Sequence, residues 1–155
     1  MSEEKRQVTF TGAQLMAAYR KEEAKMGALQ QRMQQLQALF FEASVAEEAV
    51  KEIKKAEKNE KIMVDLGAGV YAEAVIDSND VFKTSLAGSI LQNSDSKSTL
   101  DYLSKQKENM QKEIAVLEKE QEKTAAAMNE LSGILQKGEE QARKRMAAGQ
   151  DSKGA

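Results

Sequence analysis

Two long stretches of this chain carry apolar residues at alternating steps of three and four, and no other feature constrains the fold as strongly. That spacing places the apolar side chains along one side of an α-helix, as in the seam of a coiled coil. The first seam consists of Leu15, Tyr19, Met26, Leu29, Met33, Leu36, Phe40 and Ala43, and the second of Leu100, Leu103, Met110, Ile114, Leu117, Thr124, Met128, Leu131 and Leu135. We therefore expect two long helices that pack on each other, with Glu22, Lys107 and Gln121 as polar interruptions.

The limits of the first helix are marked by residues with known capping preferences. Thr11 and Gln14 have the spacing of a capping box, and Phe10 before it is placed to staple the entering chain. Asn59 suits a left-handed C-cap, so the helix is expected over residues 11–58. Proline is absent from all 155 residues, which allows such a length without a kink.

The second helix is expected over residues 95–146, with a disordered tail at 147–155 that is small and polar. The basic run Arg143-Lys144-Arg145 lies near its expected end. Two interpretations of this run remain open: it opposes the helix dipole, or it contacts an acidic partner.

The segment between the helices has a different period. In "MVDLGAGVYAEAVI", Met63 to Ile76, apolar and other residues alternate on both sides of Gly67-Ala68-Gly69, which predicts a β-hairpin. A second, weaker pair of apolar runs surrounds Ala87-Gly88. We expect a hairpin region at 62–92 and, over residues 1–155, a single domain of the α+β class, mainly α, in which a long antiparallel two-helix coiled coil carries two small β-hairpins at its base.

The glycines at 67 and 69 are also the best candidate for a phosphate-binding loop, because glycine lets backbone amides approach phosphate. A nucleotide fingerprint needs a helix directly after the loop, and a P-loop needs Lys followed by Ser or Thr. Here Val70 opens a strand instead, so the pattern favours a hairpin turn.

The composition excludes most classes of catalytic site and metal site. The chain has no cysteine and no histidine, so the usual nucleophile, the neutral-pH base and the commonest zinc ligands are missing. We expect no catalytic site, no metal and no cofactor. Lysine and arginine number 23 against 25 acidic residues, interleaved along the chain, which disfavours nucleic-acid binding. There is no run of 18 apolar residues, and "MSEEKRQ" has no apolar segment, so we expect neither a membrane span nor a secretory signal, and a cytoplasmic location.

Two surfaces are predicted to bind other molecules. Short apolar hairpins are marginal alone, and their edges invite pairing with other chains, so oligomerisation through the hairpins is expected. The free ends of a two-helix coil lack a third layer, and apolar residues there are either a binding surface or frayed ends. These tip residues are Leu15, Met16, Tyr19, Ile134, Leu135 and Met146.

The order helix, two hairpins, helix, with "VDLGAGVYAEAVI" at the first turn, resembles the alpha-type subunit of prefoldin. The resemblance implies an ATP-independent molecular chaperone, a holdase, in which two alpha-type and four beta-type subunits form a hexamer through their hairpins. It further implies that the coiled-coil tips capture unfolded polypeptides and deliver them to a group II chaperonin.

Carried onto this sequence, the resemblance assigns substrate capture to the tip residues named above. It assigns assembly to both hairpins, through Val64, Leu66, Gly67, Gly69, Val70, Ala72, Ala74, Ile76, Val81, Phe82, Leu86 and Ile90. The second hairpin departs from the family pattern, because "SLAGSIL" has one glycine where a Gly-x-Gly turn is common. Its register is therefore not determined by the sequence.

Two other functions fit the same residues. A coiled-coil scaffold or tether would bind one defined partner, whereas a holdase would bind many unrelated unfolded proteins. A nucleotide switch using Gly67 to Val70 would show saturable nucleotide binding.

Overall fold

The computed structural model describes residues 10–87 and 89–151, with side chains described except at 86, 87 and 149–151. The elements in chain order are α1 (Gly12–Lys55), β1 (Lys61–Gly67), β2 (Val70–Val75), β3 (Phe82–Ala87), β4 (Ile90–Ser94) and α2 (Ser96–Asp151). The predicted fold class is confirmed: the protein is mainly helical, with two small antiparallel hairpins. Neither helix, over its described residues, is long and apolar enough to cross a bilayer.

The chain divides into two compact units. The central unit comprises residues 35–114 and holds both hairpins with the adjoining helix segments. The terminal unit comprises the described parts of residues 1–34 and 115–155, which are the start of α1 and most of α2.

The start of α1 is the predicted capping box. The backbone N–H of Thr11 donates to Gln14 Oε1 at 2.9 Å, and the N–H of Gln14 donates to Thr11 Oγ1 at 3.3 Å. Two N–H groups that the helix cannot satisfy internally are thus satisfied reciprocally. Thr11 is the N-cap, and α1 begins at Gly12.

The end of α1 confirms one prediction and corrects another. Asn59 has the expected left-handed backbone, with φ of 68°. The helix nevertheless ends at Lys55, three residues before the predicted position. Its last turn tightens, since Ala56 N–H donates to the carbonyl of Ile53 at 3.1 Å, and residues 57–60 form a turn that leads into β1.

A short loop between the hairpins caps both helices through Asn79 and Asp80. The Asn79 side-chain amide donates to the carbonyls of Lys54 and Ala56, at 3.3 and 3.1 Å, at the end of α1. Asp80 Oδ1 accepts the N–H of Ser96, at 2.9 Å, at the start of α2. The two helix ends are therefore both hydrogen-bonded to this one loop.

Asp95 is the N-cap of α2 and accepts the N–H of Ser98 at 2.6 Å. The start of this helix at Ser96 lies within the predicted range. Hydrogen bonds from Ser96 lower the pKa of Asp80, and hydrogen bonds from Ser98 lower the pKa of Asp95, because the donors favour the charged carboxylate.

The far end of α2 corrects the predicted disordered tail. The helix continues to Asp151, so residues 147–151 are helical, and only residues 152–155 of that prediction lie outside the described part. The two alanines after Met146 favour continuation of the helix. Arg143 to Arg145 consequently lie outside its last turn, which contains no basic residue, and the dipole interpretation of this run is wrong.

In the central unit, Lys107, which interrupts the apolar seam of α2, forms an ion pair with α1. Lys107 Nζ lies 2.7 Å from Glu47 Oε2 and 5.4 Å from the centroid of the Phe40 ring. Lys51 Nζ lies 2.7 Å from the other carboxylate oxygen of Glu47. Hydrogen bonds from Lys107 and then Lys51 lower the pKa of Glu47 from 4.5 to about 2. These contacts fix the register of the antiparallel segments.

In the terminal unit the helices also run antiparallel. Leu15 shares a groove with Ile134, and further along Lys25 Nζ lies 3.2 Å from Glu120 Oε2. Thr124 occupies a seam position and is 1% exposed. Among the described side chains its hydroxyl is the buried polar group that lacks a hydrogen-bond partner.

Each hairpin is a separate two-stranded sheet, and the two share one register pattern. In the first, Asp65 pairs with Tyr71 and Gly67 with Val70, so that Leu66 is a bulged residue. In the second, Ser85 pairs with Leu91 and Ala87 with Ile90, so that residue 86, also leucine, is bulged. The structure thus supplies the register of the second hairpin.

Replacement of Asn79 by alanine removes two hydrogen bonds to the end of α1. We expect the free energy of unfolding to fall by about 1 kcal/mol, since exposed hydrogen bonds contribute modestly. Urea unfolding followed by far-UV circular dichroism at constant protein concentration measures this. Asp77→Ala, in the same loop, is the control, and an equal loss in both variants would contradict a specific cap.

Replacement of Thr124 by valine should stabilise the protein. The variant keeps the shape of the side chain and removes a buried hydroxyl without a partner, whose desolvation costs about 1–3 kcal/mol. We expect a higher urea midpoint with an unchanged slope. A lower midpoint would show that the hydroxyl is hydrogen-bonded in solution.

Acid should weaken the contact at Glu47. Its folded pKa of about 2 lies below the ordinary 4.5, so its contribution to stability is present above pH 4.5 and is lost as the pH falls towards 2. Glu47→Gln should therefore destabilise the protein at pH 7 and show a smaller further loss below pH 4.5. Parallel melting curves of the two proteins across this range would contradict the assignment.

Candidate functional site

The two surfaces predicted to bind other molecules are the hairpins of the central unit and the tip of the terminal unit. The residues of each hairpin strand alternate between the two faces of the hairpin. Cross-strand partners share a face, so Ile62 lies with Ala74 and Val64 with Ala72 on an apolar face of the first hairpin. Ile62, Ala72 and Ala74 are half-buried, and Ile76, just beyond β2, is 6% exposed.

The opposite face of the first hairpin is mixed and exposed. Met63 pairs with Glu73, and Lys61 Nζ lies 2.8 Å from Glu73 Oε1. Asp65 pairs with Tyr71 on this face, and Asp65 Oδ1 also accepts the N–H of Gly67. The first hairpin therefore has one face suited to apolar packing and one with polar and charged groups.

Large apolar side chains are exposed in both hairpins to an extent unusual for a protein that is complete by itself. They are Met63, Val64, Leu66, Val70, Tyr71, Val75, Val81, Ile90 and Leu91. The most exposed of them is Met63 at 65%, while Val64 is 39% exposed. These side chains have no cover within the described part of the chain.

The predicted assembly residues fall in three environments. Val64, Leu66, Val70, Val81 and Ile90 are exposed, whereas Ala72, Ala74, Ile76 and Phe82 are half-buried or buried. Gly67 and Gly69 are turn residues, and the side chain of Leu86 lies outside the described ones.

Four exposed apolar residues of the hairpins were not predicted. They are Met63, Tyr71, Val75 and Leu91. Met63, Tyr71 and Val75 lie on the mixed face of the first hairpin, which they share with charged residues. A count of apolar residues on both faces would have found them.

The glycines at 67 and 69 form a hairpin turn. Gly67, Ala68 and Gly69 all have positive φ, at 93°, 54° and 78°. Two consecutive left-handed residues at the centre match the twist of a tight hairpin, and glycine adopts this conformation without steric cost. Val70 continues directly into β2, and no helix follows, so the geometry required for phosphate binding at a helix N-terminus is missing here.

At the tip, two open grooves lie between α1 and α2. The first, of about 550 Å³, is lined by Phe10, Gln14, Leu15, Ala18, Lys21, Glu22, Ala127, Glu130, Leu131 and Ile134. The second, of about 730 Å³, is lined by Phe10, Gly12, Leu15, Met16, Ile134, Leu135, Lys137, Gly138, Glu139, Gln141 and Ala142. Apolar residues make up most of both linings, and each lining also contains charged residues.

The structure brings most of the predicted tip residues together. Leu15 and Ile134 line both grooves, and Met16 and Leu135 line the second. Tyr19 is half-buried and Met146 is 74% exposed, and neither lines these two grooves.

Phe10 is the tip residue that the sequence did not assign. It is 62% exposed and lines both grooves. Its position before the N-cap suggested only a stapling role, and the spacing of the seam begins after it. The signal that could have found it is an aromatic residue at the open end of a two-helix coil.

A second set of exposed apolar residues lies outside the tip. Phe41 and Val45, one helical turn apart on α1 in the central unit, are 69% and 52% exposed. Val116, on α2 in the terminal unit, is 59% exposed. Exposed apolar side chains are thus not confined to the tip and the hairpins.

The comparisons with known proteins agree with this architecture. The family profile described as prefoldin subunit matches residues 22–141. The chain is similar to the filamentous PFD from Methanocaldococcus jannaschii, solved by cryo-EM, with 18% identity and a TM-score of 0.66 over 76% of this chain and 97% of that one. No curated protein matches. Since the profile spans most of the chain, including both hairpins and the facing helices, the chain belongs to the prefoldin family of non-enzymatic chaperone subunits.

Proposed function

We propose that this chain is a subunit of an ATP-independent holdase that captures unfolded polypeptides at its tip. The observation that carries the proposal is the pair of apolar grooves around Phe10, Leu15 and Ile134. Open grooves with mostly apolar linings suit ligands that are hydrophobic but differ from one another in sequence. The adaptable thioether of Met16 at the second groove suits the same purpose.

Capture at the tip is expected to be weak for each chain and strong for an assembly. Each exposed apolar side chain that becomes buried contributes about 1–2 kcal/mol, so a single tip binds with modest affinity. Several tips joined in one oligomer raise the effective concentration of binding sites. Each contact remains quickly reversible, as delivery of a substrate requires.

The exposed hairpins support assembly with other subunits. We propose that beta-type prefoldin subunits cover them, in a hexamer of two alpha-type and four beta-type chains. The similar protein from M. jannaschii is filamentous, so copies of this chain could also pair through the same hairpins. We further propose a cytoplasmic location and delivery of substrates to a group II chaperonin.

The proposal predicts that loss of exposed tip groups abolishes capture. The tip variant replaces Phe10, Met16 and Ile134 by serine; these side chains are 62%, 42% and 45% exposed, so the fold should tolerate the change. The assay is light scattering of a chemically unfolded test protein diluted without nucleotide into this chain plus a beta-type subunit. The concentration that halves aggregation should rise at least about tenfold, equivalent to about 1.4 kcal/mol.

The matched control replaces Phe41, Val45 and Val116 by serine, which removes three side chains of similar exposure outside the tip. This variant should retain capture, and size-exclusion chromatography should show the same oligomer for all three proteins. Equal loss in both variants would mean that capture is spread over the helices. Unsuppressed aggregation by the intact oligomer would favour a tether that binds one defined partner.

A further inference from the structure

We propose that the second tip groove selects amphipathic helical segments with acidic residues from among unfolded polypeptides, an inference that deepens the proposed function and rests on it. Three features of the groove support this proposal: the helical backbone of its walls, the small residues in its lining and the charged residues around it.

Apart from the start of α1 near Gly12, the walls of the groove offer no free backbone groups for hydrogen bonding. Both are helices, whose N–H and C=O groups are bonded within the helix except at the ends. An extended segment bound there would bury its own backbone groups without partners, at a cost of about 1–3 kcal/mol for each. In a helical segment the backbone groups are already hydrogen-bonded to each other. Such a segment can therefore bury its apolar side chains in the groove without leaving backbone groups unpaired.

The floor of the groove allows a third helix to approach closely. Gly12 lies at the start of α1, and Gly138 and Ala142 lie one turn apart on α2. A Cβ added at Gly138 would meet nothing within 4 Å, so the space above it is open. Small residues at such positions let two helix backbones approach, while Phe10 and Met16 supply apolar contacts beside them.

The two charged residues that line the groove, Lys137 and Glu139, balance each other, and the excess positive charge lies beyond the lining, on the distal part of α2. Lys137 lines the groove, and Arg145 lies on the same face of α2 as Gly138 and Ala142, because the three are spaced by four and three residues. The first turn of α1, at the end where the helix dipole is positive, contains no acidic side chain. Glu139 is the acidic residue among the groove's lining.

The end of α2 adds surface to the groove. Every side chain from Gln136 to Ala148 is exposed, including Met146 at 74%. This exposed stretch continues the groove face through Arg145 and is complementary to acidic side chains. Acidic residues of the bound helix would therefore lie along the distal part of α2, and apolar residues would enter the groove.

The test uses the full chain and four fluorescent peptides of about 14 residues, a length at which helix formation is marginal alone. Two have the same apolar stripe at helical spacing, with acidic or basic residues elsewhere. The third is the acidic peptide with two internal prolines, and the fourth has alternating apolar residues typical of a strand. Anisotropy measures affinity, and circular dichroism measures helix gained on binding.

We expect the acidic helical peptide to bind most tightly and to gain helix. The proline version should bind at least about tenfold more weakly, because proline breaks the helix. The advantage of acidic over basic peptide should shrink at high salt, as screening requires. Equal binding of all four peptides, or strongest binding of the strand-type peptide, would overturn the inference.

Paired variants locate the site. Gly138→Trp should fill the groove and weaken binding about tenfold, by analogy with loss of a well-packed contact. Gln136→Trp places the same side chain about 200° around the helix and should have no effect. Arg145→Glu should remove the acidic preference, whereas Arg143→Glu, on another face of α2, should leave it. Unchanged binding in Gly138→Trp would exclude this groove.

The two proposals fail separately. If the oligomer suppresses aggregation of the test protein but the peptides show no helical preference, the holdase stands and the selectivity is wrong. If the peptides bind as expected but aggregation is not suppressed, the groove is a docking site for one helical partner and the holdase proposal is wrong.

Discussion

The architecture depends on the hydrogen bonds that one loop makes to two helix ends. A helix of this length leaves carbonyls unsatisfied at its end and N–H groups unsatisfied at its start. Asn79 meets the first need for α1 and Asp80 the second for α2, from adjacent positions in the chain. Because both belong to the connection between the hairpins, the hairpins and the two helix ends are joined into one unit. The same loop thus connects the hairpins with the capping of both helices.

The interior of the protein is small. Among the described apolar side chains only Met33, Leu36, Val50 and Ile76 are buried, and polar groups occupy other seam positions. Lys107 meets Glu47 there, and Thr124 has no partner for its hydroxyl. A seam of this kind specifies register more than it supplies stability. Cover of the exposed apolar groups of the hairpins in the proposed assembly would add to the stability of each chain.

The features predicted from the sequence are those controlled by residues close together in the chain. The spacing of the seams gave both helices, the capping box gave the start of α1, and Asn59 was correctly assigned to the left-handed region. The early end of α1 at Lys55 was not predictable, because Asn79 contributes to it from a distant part of the chain. The small and polar residues after Met146 suggested a disordered tail, but α2 continues through them to Asp151.

Prediction of the candidate site was limited for a similar reason. Leu15 and Ile134 could be found because the seam includes them, and both line the grooves. Phe10 could not, because it lies outside the seam and periodicity ranks residues by burial. Exposed apolar residues carry function in a protein of this kind, and periodicity is least informative about them.

The matching bulges of the two hairpins have a further consequence. Both bulges fall one residue before the final strand pair, at a leucine, although the turns that follow differ in sequence. The two hairpins are thus structural repeats with comparable edge geometry. In the assembly proposed above, a subunit that carries two such repeats would offer two pairing elements, whereas a subunit with one hairpin would offer one.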